Sequence, residues 1–247
     1  MKLKRNLVLI AAALLLIGSF FLPNAVAGIT DLNRLDNMVM IDSQSISFDS
    51  VAALRLPERI ELVANSDAES MMLNSGNRMD EETAGNRAIR ELNRFFRGGL
   101  FEFEFHACSI EECTASFIID TATPTINMII WELTLVDTYE NTAIVTIDDE
   151  LGVIIRMIYK QGRRNQNTSG TNNSLSANLT DEELHNNALN LSELMAKYYT
   201  MPVILGDYYY SSSLSYSYYR ADITDEGHVI PMYGVVRSTG FTMNERV

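Results

Sequence analysis

Residues 129–155, IIWELTLVDTYENTAIVTIDDELGVII, decide the fold. Apolar runs at 126–136, 142–147 and 153–159 are separated by 137–141 and 148–152, two short segments rich in Asp, Asn and Gly. Such residues tolerate tight backbone geometry, so the stretch predicts three strands joined by turns in an antiparallel meander. Upstream, Ala115 to Ile119 reads as another strand. Phe101, Phe103 and Phe105 alternate with Glu102 and Glu104, the period of a half-buried strand.

A helix is expected before these strands. Asp80 can cap its free N–H groups, and Glu81 and Glu82 lie at the positive end of its dipole. Ala84, Ala88, Leu92, Phe95 and Phe96 then form one apolar stripe, and Gly98-Gly99 ends it. Downstream, residues 162–178 form a polar tract whose one large apolar residue is Leu175. That composition predicts a flexible linker. Thr180-Asp181-Glu182-Glu183 follows as a capping box for a second helix, with Leu184, Ala188, Leu191, Met195 and Tyr198 at helical spacing. Strands are expected near 203–210, 214–223 and 229–238, with Asp225-Glu226-Gly227 as the last turn.

The N-terminal side is less regular. Residues 57–64 suit a short helix with Pro57 in its first turn. Residues 38–41 and 45–48 suit short strands, and 65–77 reads as a polar loop. Before them, Lys2, Lys4 and Arg5 precede a charge-free run at 7–22, and Pro23-Asn24-Ala25-Val26-Ala27 ends in an A-x-A pattern. This order predicts a signal peptide over 1–27, cleaved after Ala27, or else an uncleaved N-terminal membrane anchor. Either places the remainder outside the cytoplasm.

The chain of 247 residues carries a net charge of −13, and removing the three cations of 1–27 makes it −16. Such a surface repels nucleic acid and anionic lipid, so neither is expected as a partner, and contact with a membrane is left to the N-terminal segment. The two cysteines, Cys108 and Cys113, suggest a disulfide closing a small loop in an oxidising compartment. With His106 they could offer three zinc ligands, but the spacing fits no common zinc module and no metal is expected.

The two halves rhyme. Each has an acidic-capped helix, a meander and an acidic turn with Gly, Asp148-Asp149-Glu150-Leu151-Gly152 in one and Asp225-Glu226-Gly227 in the other. The expected fold class is therefore α+β, built as two helix-plus-antiparallel-meander units. The boundaries are an extension over 28–79, a first unit over 80–161, the linker over 162–178 and a second unit over 179–247.

The helix opening MDEETAGNRAIREL (79–92), together with 129–155, resembles the PepSY domain family, with Asp148 and Gly152 at the family's turn positions. The resemblance covers 80–159, and 179–238 is a looser echo. It implies a secreted or membrane-anchored protein of the kind found in Gram-positive bacteria. Such modules are non-catalytic, and roles in restraining peptidases or in envelope sensing are proposed for them.

The residues themselves point to no enzyme. G-x-S-x-G, H-E-x-x-H and the phosphate-binding G-x-x-x-x-G-K are absent, so no catalytic residue and no cofactor is expected. Asp148, Asp149 and Glu150 could attract Ca²⁺, yet hairpin turns favour Asp for its backbone chemistry alone. Glu102 and Glu104 could form a carboxylate pair for glycoside chemistry, but acids alternating on one strand face more often mark a solvated sheet surface. Tyrosine is the conspicuous bias, with eight of eleven between 198 and 219. Tyr208, Tyr210, Tyr216 and Tyr218 are the candidate binding surface, because tyrosine combines contact area with a polar tip. The expected function is a non-enzymatic extracytoplasmic interaction or sensing module with an exported or membrane protein as partner. Its alternatives are a peptidase inhibitor or regulator of PepSY type and a glycan or cell-wall binding protein.

Overall fold

The computed structural model describes residues 54–97, 108–162, 179–211 and 216–245. The leader at 1–27, the strands expected at 38–41, 45–48 and 101–105, most of the 162–178 linker, and His106 lie outside the described residues.

The elements are α1 (Leu56–Ala64), β1 (Ala68–Leu73), α2 (Glu81–Phe96), β2 (Cys108–Asp120), β3 (Asn127–Asp137), β4 (Thr142–Asp148) and β5 (Ile154–Lys160). After the tract at 163–178 come α3 (Asp181–Tyr199), β6 (Val203–Ser211), β7 (Tyr216–Asp225), β8 (His228–Arg237) and β9 (Gly240–Met243). The helix caps form as the residues dictate. Asp80 accepts from the Thr83 N–H at 2.8 Å. Thr180 and Glu183 close a reciprocal capping box.

The expectation of two helix-plus-meander units is overturned. All nine strands among the described residues belong to one sheet of order β1-β2-β3-β4-β5-β9-β8-β7-β6, antiparallel at every pairing. The join is β9, a four-residue strand. It pairs with β5 from Met157↔Met243 to Lys160↔Gly240 and with β8 at Val236↔Phe241. Among the described residues one buried cluster runs from Leu54 to Met243 through α1, α2 and α3, so there is one hydrophobic core rather than two.

Register separates the two faces of the sheet that it covers. Trp131, Leu133 and Leu135 lie opposite Ile147, Val145 and Ala143, and the row continues through Met157 and Tyr159 to Met243 and Phe241. Helices α2 and α3 cover this face. Phe96 packs edge-on against Tyr159, with ring centroids 5.3 Å apart, and Phe95 stacks on Phe241 at 6.3 Å. Tyr198 Oη accepts from the Ile154 N–H at 2.9 Å, and Tyr199 Oη donates to the Ile154 carbonyl at 2.8 Å.

Helix α1 is on the other side. Met243 meets Tyr199 of α3, whereas the next residue, Asn244, donates to the Ile60 carbonyl at 3.0 Å. Asp148, which takes Arg59 of α1, is paired with Ile130, one position along from the Trp131↔Ile147 pair, and adjacent strand residues point to opposite faces. Among the described residues, no helix is long and apolar enough to cross a membrane.

Candidate functional site

Two features stand out once the core is assigned: a polar hub at the β4–β5 turn and a tyrosine-bearing sheet face. The hub is built on adjacent acids that point to opposite sides of the sheet. Asp148 accepts from Arg59 Nη1 at 2.6 Å and from the Glu150 N–H at 2.8 Å, and Arg59 also reaches Glu150 and the Leu54 carbonyl. Burial pushes the Asp148 carboxyl above its ordinary range, opposed by the Leu151 N–H and by Arg59. Asp149 accepts from Trp131 Nε1 at 2.8 Å and from the backbone N–H groups of Asn77, Arg78 and Met79. Gly152 closes the turn at φ +64°, where a side chain is strained.

These partners displace the calcium reading. Asp148 and Asp149 are occupied by protein donors, and Glu150 is held by Arg59. Among the described residues, no group of three or more His, Cys, Asp or Glu is placed to hold a metal.

The disulfide between Cys108 and Cys113 is also overturned. Both residues are free thiols on one extended strand, β2. Five residues of strand separate their Cα atoms by about 16 Å, whereas a disulfide needs less than about 7 Å. The same separation keeps the two from sharing a zinc ion.

The four candidate tyrosines do not form one surface. Tyr208 and Tyr210 point to the helix side of β6 and pack against the core. Tyr208 Oη donates to the Asp181 carbonyl at 3.0 Å and shares a 2.8 Å hydrogen bond with Ser217 Oγ, while its ring meets His185 edge-on. Tyr216 and Tyr218 point the other way, with their hydroxyls 2.9 Å apart.

On that outer face the register builds three rows. Ser211, Tyr216 and Arg237 form the first, Tyr209, Tyr218 and Val235 the second, and Arg220 and Tyr233 the third. Arg237 lies over the Tyr216 ring, 5.2 Å from its centroid. Tyr209 is 68% exposed, Tyr218 44% and Tyr233 37%.

Sequence reasoning missed Tyr209, Tyr233 and Arg237. The signal was present in the strand period, which places Tyr209 opposite to Tyr208 and Tyr210. Cross-strand register, which pairs Tyr209 with Tyr218, was not legible. Chemically the face offers flat aromatic area, phenol hydroxyls and two guanidinium groups. That is equipment for binding.

No protein-family model matches the chain, and neither the curated proteins nor the solved structures include a match.

Proposed function

We propose that this protein is a non-enzymatic, extracytoplasmic interaction module of PepSY type that takes an exported or membrane protein partner on the outer face of β6–β8. The observation that carries the reading is the exposure of Tyr209, Tyr218 and Tyr233 in neighbouring register positions on a face that α2 and α3 leave uncovered. Solvated aromatic rings flanked by Arg are what protein-binding surfaces are enriched in. The order of charged, apolar and small residues in 1–27 supports the location. The hydrogen bonds that occupy the acidic turn favour binding over chemistry.

A photo-crosslinking residue at position 209 or 218 of the full chain, expressed in its own host, tests the reading. The control is the same residue at exposed Leu189 on α3. One exported or membrane protein captured from 209 and 218 but not from 189 is the expected result. Wall or glycan fragments in its place would replace the protein partner with a polysaccharide, and equal capture from all three positions would remove the face from contention.

A further inference from the structure

We infer that the groove between α2 and the β4–β5 turn is a binding site for a ligand bearing phosphate or carboxylate groups. It is separate from the tyrosine face and does not depend on it. The groove is open to solvent, offers about 350 Å³ and is lined by Arg78, Met79, Thr83, Asn86, Arg87, Arg90 and the turn residues 149–152. A water molecule's share of the liquid is about 30 Å³, so the space accommodates a group of many atoms rather than a lone ion.

The three guanidinium groups are held differently. Arg87 is fixed, with Nε donating to the Gly152 carbonyl at 2.7 Å and Nη2 to the Leu151 carbonyl at 3.3 Å. Neither bond uses Nη1. Among the described residues Arg90 approaches one acid, Glu91, at 3.9 Å, which is beyond hydrogen-bond length, and its side chain is 64% exposed. The Arg78 backbone N–H is anchored on Asp149 at 2.7 Å, which leaves its exposed side chain at the rim.

The acids of the wall already have partners. Asp149 already takes the Trp131 indole and three backbone N–H groups. Glu150 is paired with Arg59. Glu91, buried beneath the stripe, is shared among Arg87, Arg90 and Arg94. In a chain of net charge −13, a wall whose three arginines outnumber its two acids is a local excess of positive charge. Guanidinium presents paired N–H groups whose spacing matches the oxygens of phosphate and carboxylate. Thr83 and Asn86, one turn and one residue before Arg87 on α2, add neutral hydrogen-bonding groups.

The test uses the full chain titrated with two probes, tripolyphosphate and a hexaglutamate peptide, at low ionic strength. Binding is read by calorimetry and by the fluorescence of Trp131, the sole tryptophan, whose indole bonds the wall residue Asp149. Saturable binding of at least one probe is expected. It should weaken about tenfold or more in the Arg78→Gln/Arg90→Gln double variant, as loss of charge-assisted hydrogen bonds requires. Lys160→Gln/Lys197→Gln, which removes two exposed cations elsewhere, should leave it unchanged. The probe that binds identifies the phosphate or the carboxylate source. Equal weakening in both double variants, unchanged binding in the arginine variant, or saturation by neither probe would overturn the site.

Discussion

Arg59 and Asp148, 89 positions apart in the chain, form a 2.6 Å ion pair in which the side chains are 2% and 0% exposed. One helical turn earlier, Arg55 reaches Asp225 at 3.4 Å and Glu226 at 3.0 Å. A single short helix therefore grips the acidic turns of both half-sheets, one through a buried pair and the other at the surface. The two turns that rhyme in sequence are joined by one clasp.

Removing one partner of a buried ion pair strands the other charge, which costs about 3–5 kcal/mol. Arg59→Met is expected to lose that much in urea unfolding. Arg55→Met, whose ion pairs are at the surface and screened by solvent, should lose far less. Equal losses would mean that burial of the Arg59 pair contributes nothing.

The outer tyrosines should be dispensable for stability and the inner ones should not. Tyr209→Ser is expected within about 0.5 kcal/mol of the parent. Tyr219→Ala removes a buried ring whose hydroxyl donates to the Thr242 carbonyl at 2.8 Å, and should lose about 3–5 kcal/mol. A large loss at Tyr209 would show that the face is covered by the chain itself.

Burial raises the phenol pKa of Tyr159, Tyr198, Tyr199 and Tyr219 above the ordinary 10. A folded value above the unfolded one means that the neutral form is favoured by folding. The stability these groups lend is complete below pH 10 and is lost as pH rises beyond it. Absorbance at 295 nm should show the buried four ionising only in step with loss of the circular dichroism signal. Ionisation of all eleven before unfolding would contradict the packing.

The thiols offer a check on β2. Burial, with Glu81 nearby, pushes Cys113 up to about 11, and burial raises Cys108 as well. Thiolate is the reactive form, so alkylation of the native protein at pH 8 should be slow at both positions. After unfolding without reductant, mass spectrometry should find two adducts. A chain that takes up none and weighs two hydrogens less would carry the disulfide that the strand geometry forbids.

The parts legible in the sequence were those with local causes. Capping residues and apolar stripes located α2 and α3, Pro57 located α1, and turn residues located β3, β4 and β5. What was not legible depended on partners distant in the chain. β1 reads AESMML, and its mostly exposed edge position leaves no alternating pattern to detect. β2 runs unbroken through 108–120 because a bulge between Ile110 and Glu112 resets its period, which made 108–113 look like a loop. β9 has four residues, too few to show any period, yet it turns two meanders into one sheet. In the candidate face, tyrosine content was plain, but the division of Tyr208 and Tyr210 from Tyr216 and Tyr218 required register. The arginine groove required the placement of α2 over a turn some 60 residues later.

The clasp has a mechanical consequence. Among the described elements, tension arriving along the backbone from the N-terminal side reaches α1 before any strand, and α1 divides it between anchor points at the β4–β5 and β7–β8 turns. The sheet is then loaded across its width at two strand ends, and no single strand is peeled from an edge. Arg55 sits nearer the applied tension and its bonds are solvated, so it releases first, and the buried Arg59 pair is the last to part. A graded yield of this kind would appear in single-molecule extension as a small early step that Arg55→Met abolishes; an unchanged first step in that variant would assign the early yield elsewhere.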